Sequence, residues 1–174
     1  MSETSKRMEQ LGIQLPIRDR KGTGKVDAVL YGDLLYVSGH LPVDAEGNAV
    51  FTGKVGEDIT VEEAYQAARL CGLNILATIK DYIGELDRVD YVVKCLGLVN
   101  SGKEFFSQPA VMNGFSDLMV EVFGRRGQHA RSAMGAFALP QNVPIVVEAI
   151  VKIRPCGGFE DGYDQPHFCG RQRN

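Results

Sequence analysis

The chain has 174 residues, 44% apolar and 24% charged, with a formal net charge of -3 at pH 7. That length fits one domain with a short appendage, and that apolar fraction builds a core without disulfide or metal staples. The acidic balance (pI ≈ 5.6) argues against a nucleic-acid partner, and no run approaches the roughly 18 apolar residues that span a membrane.

In chain order, residues 3–11 place Met8 and Leu11 three apart behind Ser2 and Ser5 as capping candidates, which predicts a short helix. The segment has no apolar stretch of the kind a secretory signal needs. Gln14 to Lys25 is polar and punctuated by Gly and Pro, hence a loop. Two β-rich runs, Ala28 to Tyr31 and Leu34 to Ser38, flank Gly32-Asp33 and predict a hairpin. His40 to Gly56 carries one proline and three glycines and reads as an irregular excursion.

Thr60-Val61-Glu62-Glu63 has the spacing of a capping box. Behind it Val61, Ala64, Ala68, Cys71, Ile75 and Ile79 recur on one helical face, predicting a helix from Val61 to Tyr82. Tyr91 to Val99 is strand-like. Ser107 is placed to cap a second helix, with Pro109 in its first turn, Met112, Phe115 and Met119 on its apolar face, and Gly124 at its end. Strands follow at Ser132 to Ala138 and Pro144 to Ile153.

The order hairpin, helix, strand, helix, strand, strand is an α+β pattern. Two helices on one face of a mixed sheet is its simplest layered solution. The domain should occupy 1–154. From residue 155 the composition shifts to a Gly-rich, aperiodic tail. Cys71 and Cys95 sit in apolar segments and read as reduced core thiols, which suits the cytoplasm. In the tail, Cys156, His167 and Cys169 lack paired C-x-x-C spacing, so no metal site is expected. Nor is there a dinucleotide fingerprint, and Gly22-Thr23-Gly24-Lys25 has the wrong length for a phosphate loop. No cofactor is expected.

Three segments carry a resemblance to a known family. Leu34 to Val43 (LLYVSGHLPV) resembles the early strand and turn of the RidA/YjgF proteins. Lys94 to Asn113 is similar to their strand, polar turn and Asn-bearing second helix. Ala130 to Ile150 (ARSAMGAFALPQNVPIVVEAI) looks like their signature of Arg-Ser, a small-residue strand, Leu-Pro and a closing V/I-E-A-I. The likeness covers about residues 20 to 153 and is nearest to a longer branch labelled chorismate-mutase-like.

The resemblance implies a chorismate-mutase-like homotrimer with clefts between subunits. It also implies hydrolysis of reactive 2-imino or enamine acids to 2-keto acids and ammonia. Arg131 matches the family's ligand-binding arginine, and a planar guanidinium can grip a carboxylate through two parallel hydrogen bonds. Without the motif, an arginine at a strand start is compatible with plain solvent exposure.

Asn113 matches the cleft asparagine, whose side chain would help hold the imine; a solvent-facing polar residue on the helix is an equal alternative. Ser38 matches a strand-end serine, though a turn-initiating hydroxyl is equally natural there. Ser132 follows the arginine, and backbone near it could hold the imine. Glu148 matches the glutamate of the closing motif and breaks an apolar run. It is either at a subunit interface or paired with a base, a structural pairing rather than a catalytic role, and it joins the substrate-binding candidates.

Four departures are visible. Val146 stands where many deaminating members have glutamate, Ala133 where cysteine is common, Lys25 where an upstream tyrosine is common, and His40 where glutamine is usual. Carboxylate binding is therefore better supported than water activation. His129, two residues before Arg131 and so on its side of a strand, could move the proton, and His40 is a second candidate. Each could equally be a hydrogen-bonded surface or interface histidine. The alternatives to a deaminase are a trimeric module that binds a small carboxylate or a protein without turnover, and a ribonuclease or translation inhibitor.

Overall fold

A computed structural model describes residues 3–17 and 26–155. Lys25, the Gly22–Lys25 motif and the tail from Cys156 lie outside the described residues. The first helix, α1 (Glu3–Gln10), places Ser5 inside the helix rather than at its cap. The hairpin forms as expected from β1 (Ala28–Tyr31) and β2 (Leu34–His40), paired from Tyr31↔Leu34 to Ala28↔Val37. Gly32 turns the corner at φ 61°, a conformation glycine takes without steric cost.

Helix α2 (Val61–Ile83) opens on the predicted capping box. The Glu63 amide donates to Thr60 Oγ1 at 3.2 Å, and the Thr60 amide donates to Glu63 Oε2 at 2.8 Å. Strand β3 (Val89–Asn100) leads to α3 (Gln108–Phe123), which ends at Gly124. Ser107 flanks α3, but its hydroxyl makes no capping bond; the geometry there is φ -105°, ψ 37°, not the extended conformation a capping hydroxyl needs. Strand β4 (Ala130–Ala136) starts two residues earlier than predicted, so Arg131 lies within it, and β5 is Ile145–Ile153.

The sheet order is β1-β2-β5-β3-β4. All neighbours are antiparallel except β3 and β4, which run parallel because α3 carries the chain back between them. Both long helices cover one face. Strand β5 shows the division residue by residue: Ile145, Val147, Ala149, Val151 and Ile153 are buried beneath the helices, while Val146, Glu148, Ile150 and Lys152 look the other way. Helices α2 and α3 pack closely because Gly114 has no side chain; a Cβ there would run into the Tyr65 carbonyl. Arg69 reinforces the contact with two bonds to the Glu121 carboxylate, at 3.2 and 2.6 Å. Phe115, Ile75, Ile79 and Leu35 are fully enclosed between helices and sheet.

Candidate functional site

Among the described residues, strand β4 is a sheet edge, paired to β3 alone. Arg131 sits opposite the buried Cys95 and so takes the helix-facing side of that edge. There it meets α3, whose Asn113 and Ser116 are three residues apart on one helical face. Arg131 Nη2 donates to Asn113 Oδ1 at 2.8 Å and, at 3.4 Å, to the Pro109 carbonyl. Nη1 donates to Ser116 Oγ at 2.8 Å.

His129 completes the cluster on the same side, as its spacing predicted. Its Nε2 lies 3.1 Å from Ser116 Oγ and its Nδ1 2.6 Å from the Gly127 carbonyl, while the Phe115 ring meets the imidazole edge-on at 5.7 Å. Burial lowers the His129 pKa; the Gly127 bond opposes this, and the Arg131 charge adds to it. The imidazole is therefore neutral at pH 7.

A guanidinium has five N–H donors. Three of Arg131's are engaged among the described residues, and two of these are both protons of Nη2. Either edge of the fork that can grip a carboxylate through two parallel bonds uses an Nη2 proton, so the carboxylate must displace the Asn113 amide or the long Pro109 contact. Once released, the Asn113 side chain can turn its NH₂ toward the incoming group.

The other candidates lie elsewhere. Side chains alternate along a strand, so Ser132 points to the open face of the sheet, away from Arg131. There Ser132 Oγ accepts from Lys94 Nζ at 2.9 Å. Ser38, Lys94, Ser132 and Glu148 line a concavity of about 630 Å³, otherwise walled mainly by apolar groups such as Leu96 and Ile150. Ser38 Oγ donates to the Asp27 carbonyl at 3.0 Å. Glu148 makes no hydrogen bond or ion pair among the described residues, so the expected structural pairing is not formed within one chain. Val146 shares that face, opposite Leu98.

His40 belongs to neither group. A β-bulge between Val37 and His40 breaks the alternation and turns the imidazole inward, leaving it 3% exposed. Its Nδ1 is 2.7 Å from the Ser38 carbonyl and its Nε2 2.6 Å from Thr78 Oγ1 of α2. The ring fastens β2 to α2, apart from the Arg131 cluster, and borders a separate concavity with Asp27, Leu41 and Gln141.

Ser116 and Lys94 were missed by the sequence reading. Ser116 could have been found, since it falls one turn after Asn113 and interrupts an apolar helix on the same side. Lys94 carried no such signal. Among the described residues no cluster of His, Cys, Asp or Glu could hold a metal ion, and no helix is long and apolar enough to cross a membrane.

Comparison with known proteins assigns the chain to a family. A family model described as "YjgF/chorismate_mutase-like, putative endoribonuclease" matches residues 6–152. Protein TCP17 of Trypanosoma cruzi is 41% identical over 147 residues, covering 84% of this chain and 91% of its own length. Among solved structures, Atu1372 of Agrobacterium tumefaciens, a protein of unknown function, is 40% identical with a TM-score of 0.80, covering 87% of this chain and 94% of that one. A "putative endoribonuclease" from Shewanella oneidensis is 29% identical with a TM-score of 0.82, covering 87% and 100%. The match spans the signature strands and the second helix, and with the five-stranded α+β fold it makes this chain a member of the RidA/YjgF, chorismate-mutase-like family.

Proposed function

We propose that the chain, as a homotrimer, hydrolyses small 2-imino or enamine acids to 2-keto acids and ammonia in clefts between subunits. The observation that carries this reading is the Arg131–Asn113–Ser116–His129 cluster on an open sheet edge. Within one chain, Ser38 on β2 is three strand spacings from β4, about 14 Å at the usual strand separation, so the two cannot share a small ligand. A second copy that brings its β1–β2 edge against β4 would join them. A ring of three such contacts also covers the open face of each sheet.

In this cleft Arg131 exchanges Asn113 for the substrate carboxylate and fixes the imine carbon near the edge. Water adds to that carbon, one proton goes to the imine nitrogen, and the C–N bond then breaks to release ammonia and leave the keto group. His129, neutral at pH 7, takes a proton as water adds and returns it to the departing amine. Imine hydrolysis is intrinsically facile, so holding the substrate supplies much of the rate. No cofactor takes part.

A second reading is a carboxylate-binding or protein-binding module without turnover. Val146 favours it, since no carboxylate stands at that position. An assay separates the two: an amino-acid oxidase generates imino acids while semicarbazide competes for them. The deaminase reading predicts that the protein suppresses semicarbazone formation and that Arg131→Ala does not. Tight keto-acid binding with no suppression would select the binding module. RNA cleavage that travels with the purified protein and disappears in Arg131→Ala would instead support a ribonuclease.

A further inference from the structure

Arg131 and His129 both address Ser116, and that arrangement fixes the direction of every bond between them. A serine hydroxyl has one proton to give and two lone pairs. Arg131 has only donors, so at 2.8 Å the hydroxyl accepts from it. The serine proton is then free for His129 Nε2, 3.1 Å away. The Gly127 carbonyl can only accept, so the ring proton sits on Nδ1. The chain of donation runs Arg131 to Ser116 to His129 to Gly127.

The geometry points to Ser116 as the positioning residue of this site: it sets the heading of the Arg131 guanidinium, holds His129 in the Nδ1–H tautomer, and is the group through which a proton reaches Nε2. A proton arriving at Ser116 Oγ from the ligand side displaces the serine's own proton onto Nε2. His129 becomes imidazolium, the serine still carries one proton, and the Nε2–Ser116 bond reverses direction. Running the same steps backward returns a proton to the ligand. The edge-on Phe115 ring leaves Ser116 as the polar neighbour of Nε2.

Among the described residues, the charged group acting on His129 is Arg131 of β4; α3 and the turn Gly124–Gly127 present Ser116, Phe115 and a carbonyl, none of which titrates near neutrality. Use of the relay in turnover rests on the deaminase reading, but the relay itself exists in the free protein.

The test is ¹⁵N-histidine NMR of the full chain from pH 5 to 8, comparing the parent with Ser116→Ala and Ser116→Thr, with the His129 signals assigned through His129→Gln. The parent should show the Nδ1–H tautomer. In Ser116→Ala the neutral ring loses its hydrogen-bond donor and the titration midpoint should rise. Ser116→Thr, which keeps the hydroxyl, should restore the parent value. An unchanged tautomer and midpoint in Ser116→Ala would overturn the proposal, whatever the protein's activity.

If the parent turns over imino acids, kcat/KM in Ser116→Ala should fall about tenfold or more, as loss of a hydrogen bond to a charged group implies. The acidic limb of its pH profile should move with the NMR midpoint, and Ser116→Thr should recover both. A parent that shows the tautomer and its dependence on Ser116 but no turnover would sink the deaminase reading and leave the relay standing.

Discussion

The two faces of the sheet are ordered in different ways. Beneath α2 and α3 the strands present enclosed aliphatic side chains, and the buried polar groups there are bonded at least in part: His40 to Ser38 and Thr78, and the Asn74 NH₂ to the carbonyls of Leu41 and Val43, with its Oδ1 left without a partner among the described residues. On the open face the same strands present Tyr36, Val29 and Met134, each more than 40% exposed, around Lys94, Ser132 and an unpaired Glu148. The covered face holds the packed core; the open face carries apolar area that a monomer gains nothing from exposing. The difference is what the proposed assembly would explain: a core packed within one chain, an apolar face left for a second copy, and Arg131 on the edge where the two regimes meet.

The comparison breaks first where charge is placed on the open face. Leu96→Asp should dissociate the proposed trimer by sedimentation velocity yet keep the helical circular dichroism of the parent. If the parent itself sediments as a monomer, the assembly argument fails. Phe115→Ala attacks the covered face and should cost about 3–5 kcal/mol in urea unfolding, with no effect specific to assembly. A loss under about 1 kcal/mol would mean that the helix layer is less tightly packed than the burial of Phe115 implies.

At the edge, the depressed pKa of His129 gives a pH signature with a definite sign. Its folded pKa lies below the unfolded value, so the unfolded chain binds the extra proton first as pH falls. Stability from this group is complete above about pH 6.5 and is lost as pH falls through the folded pKa. His129→Gln should flatten the thermal midpoint over that interval, and an identical pH slope in the variant would contradict the assignment. Thr60→Ala, which removes one half of the α2 capping box, should cost about 1 kcal/mol by the same urea measurement, with no change in assembly.

The elements were readable because their signals are local. Alternation, the 3.6 period, Gly32-Asp33 and the Thr60–Glu63 box each specify structure within a few residues. The site was readable only in part. His129 and Arg131 share a side because strand geometry puts them two apart, and the same rule assigns Ser132 to the opposite face, although adjacency had grouped it with Arg131. Ser107 had the right identity for a cap and the wrong backbone. His40 was not readable, since its burial depends on a bulge and on Thr78, 38 residues later. Ser116 could be placed beside Asn113 from helical spacing, but its bond to Arg131 depends on the packing of α3 against β4.

The central claim, that Arg131 is the anchor for a carboxylate, is tested most directly by calorimetric titration of 2-oxobutanoate into the parent, Arg131→Lys and Arg131→Ala. The account predicts saturable binding by the parent, weaker binding by the lysine variant, which keeps the charge but not the planar fork, and a loss of at least about a hundredfold for alanine, roughly 3 kcal/mol. Binding by Arg131→Ala as tight as the parent's would place the carboxylate elsewhere and contradict the account.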